Sequence, residues 1–292
     1  MQATASSCKT ASGIKVRSMS AASKPTLQPT LFVSHGSPMF AIEPGSTAPA
    51  LRAWATGLAQ QPSGIVIMSP HWMARTATVM TNAQPATWHD FGGFDPALYT
   101  LQYPAAGNPA LAQQVIALLQ AAGIPAQADA QRPLDHGAWV PLMHLFPDAN
   151  VPVVQLALPA DYTPQTLMAM GSALTSLRAQ GVLIIGSGSL THNLHEFVQG
   201  RPALHDAAAS YVGEFARWIE NAVTSNNAQA MLAYRQQAPH AVQAHPTDEH
   251  FATIYFALGA AGWGSTTPLK AHYISREVMY RFLAMDAFGL GD

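Results

Sequence analysis

The chain is predicted to be one α/β domain: a central, largely parallel or mixed sheet flanked by helices, with a ligand site at the carboxyl edge of the strands. Three observations predict this. Short β-branched or apolar runs alternate with stretches of helical periodicity, the pattern of βαβ units. Hydrophobic residues make up 49% of the 292 residues, enough for a sizeable core, and no charged or Gly/Ser-rich linker and no repeat interrupts 29–292. Three of the strand-like runs lead into a turn that carries a histidine, and in open α/β sheets the ligand crevice lies at that edge.

In chain order, residues 1–28 hold Lys9, Lys15, Arg17 and Lys24 and no acid, the first carboxylate being Glu43. With no apolar stretch of secretory type, they read as a disordered N-terminal extension, a transit-type segment or a later start at Met19 being alternatives. The folded domain is expected over 29–292. Strands are predicted at 30–34 (TLFVS), 64–69 (GIVIMS), 151–158 (VPVVQLAL) and 181–185 (GVLII) from their apolar, β-branched composition. Helices are predicted at 49–60, 109–122, 164–179, 203–222, 227–237, 247–261 and 275–288. Pro49, Pro109 and Pro164 suit a first helical turn, where the missing N–H costs little. The connection 81–108 is long and rich in aromatics, Gly and Pro, as functional walls and lids are.

Composition narrows the function classes. The 14 basic and 16 acidic residues amount to 10% charge and a net charge of −2, which leaves no electrostatic footprint for nucleic acid or an anionic membrane. No apolar run approaches the roughly 20 residues of a membrane-spanning helix. A cytoplasmic location is expected, and the apolar composition is compatible with a homodimer. The single cysteine, Cys8, excludes an internal disulfide and any CxxC metal site. Any bound metal must therefore be held by histidine and carboxylate.

There are 12 histidines. The run TLFVS leads into His35-Gly36-Ser37-Pro38, GIVIMS into Pro70-His71-Trp72, and GVLII into Gly186-Ser187-Gly188-Ser189-Leu190-Thr191-His192. A lone histidine is more often a core or solvated side chain, but three at equivalent topological positions can converge. Imidazoles then suit Zn or Fe. In His245-Pro246-Thr247-Asp248-Glu249-His250, Thr247 is expected to cap the next helix. A capped helix accounts for Thr247 and the acids but not for two flanking histidines. His250 is the favoured ligand, with His245 as its supporting partner or substitute and Glu249 as a rival. In Asp135-His136-Gly137, Asp135 is expected to tie the turn through its own backbone, leaving His136 free to face the site. Trp72, Phe91, Phe94, Tyr99 and Tyr103 are candidate substrate walls, with the core as their ordinary alternative. His89, His144, His195, His205, His240 and His272 read as structural or solvated.

These motifs, together with His89-Asp90-Phe91-Gly92-Gly93-Phe94, Gln102-Tyr103-Pro104-Ala105 and Asn193-Leu194, resemble the DODA-type (4,5-DOPA dioxygenase-like) class III extradiol ring-cleavage dioxygenases. That family lies within the superfamily of the protocatechuate 4,5-dioxygenase catalytic subunit. The resemblance runs in order over 29–288 and leaves the N-terminal segment outside it. It implies a catalytic domain over 29–292 with a mononuclear non-haem Fe(II) site that Zn(II) can also occupy. By motif, His35 and His71 match metal ligands, His192 the catalytic base and His136 a second active-site histidine. The last ligand falls within 245–250, where the wider superfamily carries Glu. The implied partners are a small catecholic substrate and O2, and the implied product is a muconic semialdehyde. The same residue types would also suit a Zn-dependent amidohydrolase-like enzyme with Glu249 or His192 as base, or a non-catalytic metal-binding module.

Overall fold

The computed structural model describes residues 2, 27–265 and 269–291. Cys8 and nearly all of the expected N-terminal extension lie outside the described residues. The strands are β1 (Thr30–Ser34), β2 (Gly64–Ala74), β3 (Ala77–Met80), β4 (Ala126–Asp129), β5 (Val153–Pro159), β6 (Val182–Gly188), β7 (Ala271–Ser275), β8 (Val278–Met279), β9 (Leu283–Ala284) and β10 (Ala287–Leu290). The helices are α1 (Thr47–Thr56), α2 (Pro109–Ala121), α3 (His136–Leu145), α4 (Pro164–Ala173), α5 (Leu194–Gly200), α6 (Ser210–Thr224), α7 (Ala228–Leu232), α8 (Tyr234–Gln237), α9 (Ala241–Ala244) and α10 (Glu249–Ala261).

Eight strands form one sheet in the order β4-β3-β5-β2-β6-β1-β10-β7. The central strands β5, β2, β6 and β1 run parallel, and β10 and β7 are added antiparallel beyond β1. This is the expected mixed α/β architecture. The central strands are buried on both faces, which is why they read as continuous apolar runs. Alternate residues feed two cores. Phe32, Val66, Met68 and Ile184 pack toward α2, α4, α6 and α10. Leu31, Val33, Ile65, Ile67, Leu183 and Ile185 pack toward α1 and α3. Gly171 and Gly259 let α4 and α10 cross closely, since a Cβ on either would overlap the backbone of the other helix. Among the described residues no helix is long and apolar enough to cross a membrane.

Several elements differ from the sequence expectation. The segment 275–288 is strand rather than helix. Its apolar residues suit either period, and the open flank of β1 takes β10 as an antiparallel partner. The β8–β9 hairpin turns through Tyr280 and Arg281 at φ 49° and 64°, which a helix cannot accommodate. Helix α1 starts at Thr47 because the distant Glu277 carboxylate accepts from the backbone N–H groups of Ser46 and Thr47 at 2.9 and 2.8 Å. The run 203–222 becomes helical only at Ser210, and 227–237 breaks into α7 and α8. The run 164–179 is α-helical only to Ala173, a 3-10 turn following at Thr175–Gln180. Thr247 does not cap α10. Asp248 stands at the cap position, and its side chain accepts from the hydroxyls of Tyr162 and Tyr234 at 2.7 and 3.3 Å. The connection 81–108 contains neither strand nor α-helix; bridges from Thr87 to Leu134 and from Gly107 to Val153 pin it to the domain.

Candidate metal centre

Five histidines meet at the carboxyl edge of the sheet. His35 follows β1 directly. His71 lies in a bulge of β2, where the ladder to β5 shifts between Ser69 and Met73 and turns Pro70–Trp72 out of register. His136 opens α3, His192 follows β6, and His250 sits in the first turn of α10. Close approach depends on two glycines. A Cβ on Gly137 would overlap Ser69 Oγ and lie 2.8 Å from His71 Cδ2. One on Gly188 would overlap the His250 carbonyl, so α10 can lean on the end of β6 only because residue 188 is bare. The Asp135 carboxylate accepts from Ala138 N–H at 3.2 Å, the expected local tie at the start of α3.

The hydrogen bonds determine which ring nitrogens carry lone pairs. Ser187 donates its hydroxyl to the Gly137 carbonyl at 2.5 Å, so its oxygen accepts from His35 Nδ1–H at 3.0 Å. Glu249 accepts from His250 Nδ1–H at 2.9 Å. One oxygen of Asp90 accepts from both the backbone N–H and Nδ1–H of His136 at 2.9 Å, and the other lies 3.8 Å from His71 Nδ1. In every case the carboxylate or hydroxyl sits on the Nδ1 side. Nε2 of His71 faces Nε2 of His35 at 3.1 Å and Nε2 of His250 at 3.3 Å.

Burial, followed by repulsion among the histidines themselves, holds His35 and His250 well below the usual imidazole range. Burial lowers His71 to about 3, the pull of Asp90 notwithstanding. Burial alone would raise Asp90, but the bonds and charge of His136 more than offset it and keep the carboxyl below its ordinary value. The three rings are therefore neutral near pH 7; a neutral His71 has at most one proton on Nε2 to share between two facing nitrogens, so at least one pair of lone pairs stays opposed unless a cation lies between them. A tetrahedral ion with metal–nitrogen distances of about 2.0–2.1 Å has ligand edges of roughly 3.3 Å. The two observed spacings, 3.1 and 3.3 Å, fit that edge, and Ser187 and Glu249 orient His35 and His250 from behind.

Two further rings flank the three. His192 stacks on His250 with centroids 3.6 Å apart and planes 11° from parallel, and burial lowers it to about 4, leaving it a neutral base. The ring of His136 is 3.9 Å from that of His71. Potential ligand atoms fall into two adjacent groups, His35–His71–His136 and His192–Glu249–His250. The opposed nitrogens of His71 and His250 join the two groups into one centre.

His245 is not brought into it. It is fully buried, donates Nε2–H to the Leu190 carbonyl at 2.7 Å, and packs against Phe215 and Phe251 at 5.6 and 5.2 Å. There it supports the turn that presents His192. Glu249 faces Nδ1 of His250. Trp72 is buried, with the Arg132 guanidinium 4.6 Å from its ring. Phe91 lies edge-on to His136 at 5.5 Å and is joined by Phe94 at 5.5 Å and Tyr99 at 5.4 Å, so the connection 81–108 forms a wall beside the cluster. Tyr103 belongs to the core and donates to the Phe146 carbonyl. His89, read as ordinary, sits in that wall 5.8 Å from Phe91. Sequence reasoning assigned no role to Asp90 or Ser187. Asp90 could have been suspected as one of two acids inside an aromatic, Gly-rich loop, directly after a histidine; Ser187 carries no signal that separates it from its neighbours in a Gly/Ser turn.

Residues 29–283 match the family model described as the catalytic LigB subunit of aromatic ring-opening dioxygenase. The chain is similar to a Beta vulgaris protein named 4,5-DOPA dioxygenase extradiol, 37% identical over 85% of this chain and 92% of that one. A protein of the same name from Escherichia coli K12 is 34% identical over 84% and 88%. A crystal structure of an uncharacterized Escherichia coli K12 protein superposes with a TM-score of 0.71 at 26% identity, covering 90% of this chain and all of that one. The hydrolase and non-catalytic readings find no support among these relatives. The chain belongs to the LigB family of aromatic ring-opening dioxygenases and is a class III extradiol ring-opening dioxygenase.

Proposed function

We propose that this enzyme opens the ring of a small catechol, DOPA-like in size, with O2 beside the diol, giving a muconic semialdehyde. The domain 29–292 carries the reaction. The observation that supports this most directly is the convergence of three imidazole Nε2 atoms, His71 facing both His35 and His250, with a neutral histidine stacked on His250. His35, His71 and His250 would hold Fe(II), whose place Zn(II) can take without supporting oxygen chemistry. Held by these three residues, such an ion would supply Lewis acidity toward the catechol oxygens and redox chemistry toward O2.

This chain's own groups do the rest. His192 is neutral, so it can accept a phenolic proton at its free nitrogen. Asp90 holds the Nδ1 proton of His136, which leaves Nε2 of that ring to receive or return a proton on the opposite side. Phe91, Phe94 and Tyr99 cover the ring and keep water from the reacting carbons, and Trp72 packs against Arg132. The relatives' names point to a catechol with a short polar side chain.

Anaerobic reconstitution with Fe(II), followed by a panel of catechols, tests the reading. O2 uptake matched by a yellow ring-fission chromophore is expected. Neither signal with any catechol would overturn it.

A further inference from the structure

Asp135 is fully buried, and burial pushes its carboxyl above the ordinary value. The side-chain amide of Gln155 and the guanidinium of Arg132, the latter at 2.9 Å, both donate to one of its oxygens. The other oxygen caps α3, whose first residue is His136. The same terminal nitrogen of Arg132 also reaches the backbone carbonyl of His71 at 3.3 Å. The guanidinium plane is stacked between two indoles, 4.6 Å from Trp72 and 4.8 Å from Trp88. The Asp129 carboxylate fixes the backbone beneath it, accepting from the N–H groups of Gln131 and Arg132 at 2.9 and 3.0 Å.

One group thus holds two segments of the chain. It touches the bulge of β2 at His71 and, through Asp135, the start of α3 at His136. The rings of those two histidines lie 3.9 Å apart and share the Asp90 carboxylate. A point charge could neutralise Asp135, but only a flat, multidentate cation can do so while filling the slot between two indoles and donating to a second acceptor.

We propose that Arg132 is a positioning residue for ring opening, setting His71 and His136 relative to each other through its shape as well as its charge. The proposal rests on the reading in which His71 binds the metal and His136 handles a proton. It also gives Trp72 a task, as one face of the slot that keeps Arg132 flat.

The variant Arg132→Lys keeps the positive charge near Asp135 and removes the planar fork, so it separates neutralisation from positioning. Two readouts are needed: kcat and KM for the best catechol of the Fe(II) enzyme, and the visible absorption and affinity of Co(II) bound without substrate. We expect a folded protein with kcat about 10–100-fold lower, KM little changed, and weaker Co(II) binding with a shifted spectrum, as for other groups that orient ligands. A folded Arg132→Lys with wild-type kcat and a wild-type Co(II) spectrum would overturn the proposal. If that variant does not fold, Arg132→Met combined with Asp135→Asn removes both buried charges at similar volume, and the same readouts decide. The Co(II) measurement stands even if the wild-type enzyme opens no catechol, so failure of the functional reading and failure of this one are distinguishable.

Discussion

The histidine centre and the aromatic wall beside it are built differently. In the centre, histidines come from strand ends and first helical turns, and the Nδ1 atoms of His35, His71, His136 and His250 face Ser187, Asp90 or Glu249. Space there is so short that Gly137 and Gly188 have no room for a methyl group. Beside it, the wall of Phe91, Phe94 and Tyr99 comes from a connection without strand or α-helix, and a Cβ on Gly92 or Gly93 would meet nothing within 4 Å. The contrast teaches that the histidine centre is held by packing, whereas the wall beside it has room to vary. Regular elements supply precision and loops supply adaptability, with Asp90 the one loop residue that the centre holds fast.

The comparison can be broken at its strongest point first. His71→Ala removes the ring common to both close nitrogen pairs, and ring-opening activity should fall to background with loss of bound metal by elemental analysis. Retention of a full metal equivalent would mean that the packed side is not the metal site.

Acid probes the same side. Burial depresses His245 from 6.5 in the unfolded chain to about 4 in the fold. Its contribution to stability is therefore fully present above about pH 6.5 and lost as pH falls toward 4, up to about 3 kcal/mol at 1.36 kcal/mol per unit. His245→Gln keeps a donor for the Leu190 carbonyl but cannot titrate. Denaturant midpoints between pH 7 and 4.5 should fall less for the variant than for the wild type; parallel curves would exclude His245 as a source of acid sensitivity.

Gly137→Ala should cost about 1–3 kcal/mol from overpacking against Ser69 and His71, together with weakened metal binding. Thermal melts and metal titration check both parts. Phe91→Ala should raise KM by up to about tenfold, the equivalent of 1.4 kcal/mol of aromatic contact, and leave metal content unchanged. The smallest effect belongs to Gly92→Ala, expected to leave stability within about 0.5 kcal/mol of wild type. A large loss there would show that the wall is as tightly packed as the metal side.

Much of the centre was legible before any coordinates. His35, His71 and His192 stood out because each follows an apolar strand run, and topology brings the ends of neighbouring parallel strands together. A place in a first helical turn favours His250 over His245, and the structure brings His250, not His245, against His71. Asp90 and Ser187 were not assigned, because a hydrogen bond from a residue 46 or 152 positions away leaves no local pattern. The segment 275–288 departs from its helical expectation for a related reason: its apolar spacing admits two periods, and only the open flank of β1 selects the strand.

By itself the sequence determined the α/β class, the order of the central strands' histidine-bearing turns and the ring-opening family, since these depend on local periodicity and short motifs. The tertiary structure decided which nitrogens face one another, which carboxylate or hydroxyl lies on the Nδ1 side of a ring, and that Arg132 reaches both the Asp135 carboxylate and the His71 carbonyl. Those choices are set by contacts between residues far apart in the chain, where burial and close packing select one arrangement among several that the local sequence would allow.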